Sequence, residues 1–115
     1  MKTPATKARR RWPPGRAELE VLIDEAIADG HDESEQRSGF CTMIEDHLAL
    51  PFETEVLGVQ VSVERIDLSD GDELVAICRR GSRRQKISVL ELPLPKPPPA
   101  GAEWIEAYRR WARGV

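Results

Sequence analysis

The spacing of apolar residues changes from a helical period to a period of two near residue 52, and this change limits the folds that the chain can adopt. In the first part, apolar residues recur every three or four positions, as on one face of a helix, over residues 16–29 and 33–48. Further along, Val59, Val61 and Val63 alternate with polar residues, which is typical of a half-buried strand. Helices followed by strands predict an α+β domain.

The second helix has a recognisable start. Asp32 with Glu35 three residues later resembles a capping box, so we expect the helix to begin at about Glu33. Gly39 is a weak point inside this helix, because glycine costs more backbone entropy than other residues.

The strands are separated by turn-forming residues. Two more strands are predicted at residues 74–78 and 86–92, and the basic segment 79–84 should form the hairpin loop between them. We expect Gly71 and Gly81 to adopt positive φ angles in their turns. The antiparallel sheet is predicted to curl into a small Src-homology-type β-barrel.

The C-terminal part begins with a linker over residues 93–99, which contains five prolines. A last short helix is predicted from residue 101 to 114, with Trp104, Tyr108 and Trp111 on one face. Since a helix this short is only marginally stable in isolation, it should dock on the rest of the domain through these aromatic side chains. An aromatic stripe of this kind is more often core than a ligand cage.

Length and composition restrict the class of protein. The chain has 115 residues, enough for one domain, and no apolar run long enough to cross a membrane. The N-terminus has no apolar stretch and does not resemble a secretory signal, so we expect a cytoplasmic protein. We also expect a monomer. Cys41 and Cys78 form no metal or redox motif, and His31 and His47 lack zinc-ligand spacing.

Charge is distributed unevenly. Residues 1–16 carry six bases and no acid, residues 17–78 carry 17 acids against two bases, and residues 79–115 carry nine bases against three acids. We expect residues 1–15 to be a disordered basic tail and residues 16–115 to form the domain. The alternative is an arm for nucleic acid or another acidic surface, but Trp12 is the only aromatic residue of the tail, so we do not expect nucleic acid as a partner. The acidic middle needs counter-charges from the basic ends, a partner or cations.

Among motifs that carry chemistry, only the acidic clusters stand out. The sequence contains no nucleophile motif, phosphate-binding loop or dinucleotide fingerprint, so we do not expect an enzyme. Clustered carboxylates suit calcium, which prefers six to eight oxygen ligands in irregular geometry. The candidates are Glu45 and Asp46 in the second helix, and Asp70, Asp72 and Glu73 in a later turn. A solvated helix face and an ordinary polar turn are the alternative interpretations.

One segment resembles a known family. Residues 38–52, SGFCTMIEDHLALPF, are similar to the helix and following Phe-Pro-Phe segment of small cyanobacterial-type calcium-binding proteins. The similarity extends to residues 70–76, DGDELVA, to residues 87–92, ISVLEL, and to the aromatic C-terminal end. The sequence departs from the family pattern at residues 41–43, where Cys-Thr-Met replaces an aromatic run.

The resemblance implies a helix that runs into a small β-barrel, and it implies calcium binding. By position it points to Glu45, Asp46, Asp72 and Glu73 as ligands. We therefore expect a non-enzymatic calcium-binding protein that acts as a buffer or a sensor, with no membrane association. The alternative is a small-barrel module that binds a protein partner without a metal.

Overall fold

The computed structural model describes residues 12–114, so the predicted tail lies outside the described residues except for its last four positions. These described residues form three helices and one four-stranded antiparallel sheet, which confirms the α+β prediction. The helices are α1 (Arg16–Ile27), α2 (Glu33–His47) and α3 (Ala102–Arg113), and the strands are β1 (Phe52–Val56), β2 (Val59–Leu68), β3 (Leu74–Arg80) and β4 (Arg83–Ser88).

The start of α2 follows the predicted capping pattern. The Asp32 carboxylate accepts a hydrogen bond from the backbone N–H of Glu35 at 2.9 Å. The Glu35 carboxylate in turn accepts one from the backbone N–H of His31 at 2.6 Å. The first bond satisfies an amide group of the first helical turn. The second differs from a standard capping box, because the donor is His31, one residue before the N-cap residue Asp32. The helix ends at His47, one residue before the predicted end, because Leu48 is already extended.

Gly39 proves to be a packing residue rather than only a weak point in α2. A Cβ atom at this position would collide with the carbonyl oxygen of Ala26 in α1. The absence of a side chain therefore lets the two helices approach closely. The loss of helix propensity at Gly39 is the cost of this close packing.

The sheet is an open meander in the order β1-β2-β3-β4, and the predicted Src-homology-type barrel is wrong. β1 and β4 form its two edges and do not pair with each other. The fourth strand stops at Ser88, where the Glu91 N–H donates to the Ser88 carbonyl and turns the chain away. Val89 and Leu92, which were expected in the strand, are buried in the core. Within residues 12–114 no further strand closes the sheet, and the helices cover its inner face instead.

The turns of the sheet differ in one respect from the expectation. Gly81 adopts a φ of +61°, as predicted, but Gly71 does not take a positive φ. Its neighbour Asp72 has a φ of +62° instead. Aspartate tolerates this left-handed conformation better than most residues, because its short side chain can form local hydrogen bonds.

The last helix docks through its aromatic stripe. Trp104 and Tyr108 are buried, and Tyr108 lies edge-to-face with Phe40 of α2, with 5.6 Å between the ring centroids. Trp111 is only partly buried and packs on the same Phe40 ring, with 5.2 Å between the ring centroids. Arg109 ties α3 to the segment after β4, because its guanidinium donates to the Val89 carbonyl at 3.0 Å. The aromatic face of α3 therefore belongs to the hydrophobic core, as the sequence indicated.

Candidate functional site

Glu45 and Asp46 lie near the C-terminal end of α2 and diverge. Both side chains are exposed, and adjacent positions on a helix point about 100° apart. Glu45 lies on the side of Cys41, whose thiol donates to the Glu45 carboxylate at 3.8 Å. Asp46 instead lines a cleft between the three helices. The two predicted ligands therefore do not face one ion.

The surroundings of Cys41 are unfavourable for a thiolate. Burial raises the pKa of the Cys41 thiol to about 11, and the carboxylates of Glu45 and Asp67 add to this effect. Asp67 belongs to β2, so the Glu45 side of α2 faces the sheet. A neutral thiol is a poor ligand for a hard cation, because calcium prefers oxygen donors.

The cleft beside Asp46 has a volume of about 330 Å³ and receives one carboxylate from each helix. Glu25 comes from α1, Asp46 from α2 and Glu103 from α3. Gly101 brings the start of α3 to this place. Its φ is +89°, and a Cβ atom there would collide with the carbonyl oxygen of His47 at the end of α2. No sequence pattern indicated that these three acids meet, because Glu25 and Glu103 are far apart in the chain.

The second predicted cluster occupies the turn between β2 and β3, and two of its three carboxylates have partners within the protein. The Arg37 guanidinium donates to the Asp72 carboxylate at 2.7 Å. The Ser88 hydroxyl donates to the Glu73 carboxylate, also at 2.7 Å. Asp70 is exposed. Asp72 and Glu73 thus face different elements, one towards α2 and the other towards the end of β4.

The two predicted clusters are separate surfaces. The turn is attached to α2 at Arg37, and Glu45 follows eight residues later, which corresponds to about 12 Å along the helix axis. Within residues 12–114, no three histidine, cysteine or acidic side chains are grouped as metal ligands. The five predicted ligands therefore remain predictions, and any ion would have to draw carboxylates together.

The β3–β4 hairpin carries a charge pattern whose arrangement the sequence did not reveal. Segment 79–84 was predicted as a loop, but only Gly81 and Ser82 form the turn, and the four arginines lie on the strands. Arg79 and Arg84 share Glu64 of β2, at 2.6 and 2.9 Å, and the hydrogen bond from Arg84 is the main cause that lowers the pKa of Glu64. Alternation along a strand puts the other two arginines on the opposite face of the hairpin.

The comparisons with known proteins concern the fold. No family model matches this sequence, and no curated protein matches it either. The structure is similar to that of a calcium-binding protein solved in its calcium-binding form, with a TM-score of 0.66 and 17% identity over 94% of this chain and 96% of the other. At this identity the likeness establishes the fold, while the narrower resemblance to cyanobacterial-type proteins remains a prediction. Across residues 12–114, none of the helices combines the length and apolar character needed to cross a bilayer.

Proposed function

We propose that this protein binds calcium without catalysing a reaction, and that the cleft between the three helices is its principal site. The observation that carries the proposal is the convergence of Glu25, Asp46 and Glu103 on one cleft, each from a different helix. Three carboxylates supply much of the negative charge that a calcium site needs, and water molecules can complete the six to eight oxygen ligands. The structural neighbour is itself a calcium-binding protein, which supports the proposal.

The site is expected to be weak. The carboxylates are not grouped as ligands in the described residues, so they must move towards the ion against their mutual repulsion. A site that must rearrange binds less tightly than a pre-formed loop, and we expect a Kd of about 10⁻⁵–10⁻³ M. Magnesium should compete poorly, because it needs near-ideal octahedral geometry and loses its water reluctantly.

The turn at Asp70, Asp72 and Glu73 is the second place for an ion. Binding there would compete with the ion pair from Arg37 and with the hydrogen bond from Ser88. In the cleft, by contrast, three carboxylates from three different helices line one space. We therefore place the principal site in the cleft.

Calcium titration by isothermal calorimetry and two-dimensional NMR in 0.15 M salt tests the proposal. Asp46→Asn should weaken binding about tenfold or more, and Glu25→Gln should weaken it as well. Glu45→Gln is a matched control, because this residue is the neighbour of Asp46 and faces away from the cleft.

Each outcome has a definite meaning. If the wild-type protein shows no saturable change, calcium binding is wrong. If Asp72→Asn or Asp70→Asn abolishes binding and Asp46→Asn leaves it intact, the protein binds calcium at the turn instead. A loss in Glu45→Gln equal to that in Asp46→Asn would exclude the cleft as a distinct site.

A further inference from the structure

Two hairpin turns lie together at one end of the sheet. The turn between β1 and β2 consists of Leu57 and Gly58, and the turn between β3 and β4 of Gly81 and Ser82. Alternate turns of an antiparallel meander lie at the same end. The β2–β3 turn, which Arg37 holds against α2, lies at the other end. We call residues 56–59 and 80–83, with the grooves between them, the hairpin end.

The inner face of the sheet is incompletely covered at the hairpin end. A groove of about 360 Å³ is lined mainly by Val56, Val59, Val61 and Ile87, and reaches Arg80. Val56, Val59 and Ile87 are only partly buried, although they lie on the same side of the sheet as the core. A second groove of about 440 Å³ shares Val61, Gln85 and Arg80 with the first, and it is lined further by Arg83 and Arg84. The two grooves form one surface that is apolar at one side and cationic at the other.

Leu57 is an outlier at the rim of this surface. Its side chain is 98% exposed, and its φ of +51° lies in the left-handed region. With Gly58 at +78°, it forms a two-residue hairpin turn, where asparagine, aspartate or glycine is strongly preferred. Leucine is unfavourable here because it must adopt a left-handed backbone conformation and because its apolar side chain is exposed to water. Local strain of this kind is common at functional sites.

Arg80 and Arg83 form a like-charged pair on the β3–β4 hairpin. They are directly opposite each other on β3 and β4, an arrangement that is unfavourable for like charges. Arg79 and Arg84 also face each other, but Glu64 neutralises that pair. Within residues 12–114, no acidic side chain lies within ion-pair distance of Arg80 or Arg83. Charges on an edge strand can protect it from aggregation, but Arg80 belongs to the interior strand β3, which needs no such protection.

We propose that the hairpin end docks a short segment of a protein partner that carries carboxylates next to apolar side chains. A guanidinium group binds a carboxylate through two parallel hydrogen bonds, so Arg80 and Arg83 can hold the acidic side of such a segment. The groove beside Leu57 can bury its apolar side chains. The proposal is independent of calcium binding, since it concerns cationic rather than acidic side chains and a different part of the domain.

Other anionic partners fit these features less well. None of the described residues that line the two grooves is aromatic, so unstacked nucleic acid bases would find no ring to stack on. A nucleic acid backbone would also leave the apolar groove unused. A membrane surface would contact the protruding Leu57 but would not fill a concave groove.

The test uses a fluorescein-labelled ten-residue peptide of alternating leucine and glutamate, and measures anisotropy with calcium-free protein. Two matched peptides replace all glutamates by glutamine or all leucines by alanine. The protein variants are Arg80→Gln combined with Arg83→Gln, Leu57→Asn, and the control Arg113→Gln at the exposed end of α3. A single-stranded oligonucleotide and vesicles of phosphatidylserine and phosphatidylcholine serve as competing probes.

We expect the leucine–glutamate peptide to bind in a salt-dependent manner. The double arginine variant and Leu57→Asn should each weaken binding about tenfold, as should either peptide replacement, while Arg113→Gln should change it less than about twofold. Equal binding of the glutamine peptide, or unaltered binding to the double variant, would overturn the proposal. So would tighter binding of the oligonucleotide or the vesicles, because the partner would then be nucleic acid or lipid. Melting curves of the variants, whose substituted side chains are all exposed, confirm that they are folded.

Discussion

Arg37 and Asp72 join α2 to the β2–β3 turn through a 2.7 Å ion pair between the guanidinium and carboxylate groups. The same guanidinium lies over the ring of Trp111, 5.3 Å from its centroid. One side chain thus connects the sheet, α2 and α3. The arginine side chain is only 20% exposed, so solvent screens these contacts less than it screens a surface pair.

We expect Arg37→Ala to lower the free energy of unfolding by about 1–2 kcal/mol, the sum of a partly buried ion pair and a cation–π contact. Urea unfolding followed by circular dichroism measures the change. Arg65→Ala is the control, because its ion pair with Asp67 is long, at 3.8 Å, and both side chains are more than half exposed. The control should change stability by less than about 0.5 kcal/mol. An equal loss in both variants would contradict this role of Arg37.

Gly39→Ala should destabilise the protein, although alanine is the better helix former. The new methyl group would collide with the Ala26 carbonyl and push α1 away from α2, at a cost of about 1–3 kcal/mol. Ser38→Ala, at the exposed neighbouring position, should be neutral or slightly stabilising. Thermal unfolding of the two variants gives the comparison. If Gly39→Ala raises Tm, the close approach of the helices is wrong.

The two tryptophans of α3 should differ in their contribution to stability. Trp104 is 4% exposed and Trp111 is only partly buried. Trp104→Ala should cost about 3–5 kcal/mol, since it leaves a large cavity in the core. Trp111→Ala should cost less, about 1–2 kcal/mol, from its contacts with Phe40 and Arg37. Denaturant unfolding that ranks Trp111→Ala as the more damaging change would show that the packing of α3 is different.

The raised pKa of Cys41 predicts a loss of stability at high pH. The unfolded thiol ionises near its ordinary pKa of 9.0, while the folded thiol stays protonated until about pH 11. Between these values the unfolded state releases its proton first, so the contribution of Cys41 to stability decreases as pH rises. The free energy of unfolding of Cys41→Ala should therefore fall less between pH 8 and 10 than that of the wild type. Equal slopes would contradict the raised pKa.

Thiol reactivity offers a second measurement of the same environment. Cys41 should react slowly with a disulfide reagent at about pH 8, because the thiolate is the reactive form. Glu45→Gln should increase the rate, since it removes a carboxylate that raises the pKa of Cys41. Asp46→Asn is the control and should have no effect, because it lines the cleft on another side of α2. Cys78→Ala variants keep the signal of Cys41 separate from that of the second cysteine.

Leu57→Asn should raise the free energy of unfolding by about 0.5–1 kcal/mol, because asparagine tolerates the left-handed conformation that leucine occupies at a cost. Gly58→Ala should do the opposite, since it introduces a Cβ atom at a φ of +78°. Chemical unfolding of both variants tests the turn geometry. A destabilising Leu57→Asn would mean that the leucine makes contacts that its 98% exposure does not show.

Much of the secondary structure could be predicted from local patterns. Period and capping located the three helices and parts of β2, β3 and β4, because these signals depend on neighbours within a few residues, whereas β1 was not predicted. The capping of α2 by Asp32 and the aromatic face of α3 are examples of such local signals. The strand predicted at residues 86–92 was wrong in its second half. Val89 and Leu92 are buried in the core, but they lie beyond the end of β4 at Ser88.

The closure of the sheet and the grouping of charges depended on the tertiary structure. Whether β1 pairs with β4 is decided by the path of the chain after Ser88, and no local spacing encodes that path. In the same way, Glu45 and Asp46 are adjacent in sequence but point apart, while Glu25, Asp46 and Glu103 are distant in sequence and line one cleft. The sequence by itself determined which residues are helical, extended or acidic. Only the packing of the three helices, set by contacts such as Gly39 against Ala26, decided which carboxylates share a site, because that depends on distances between elements and not on positions along the chain.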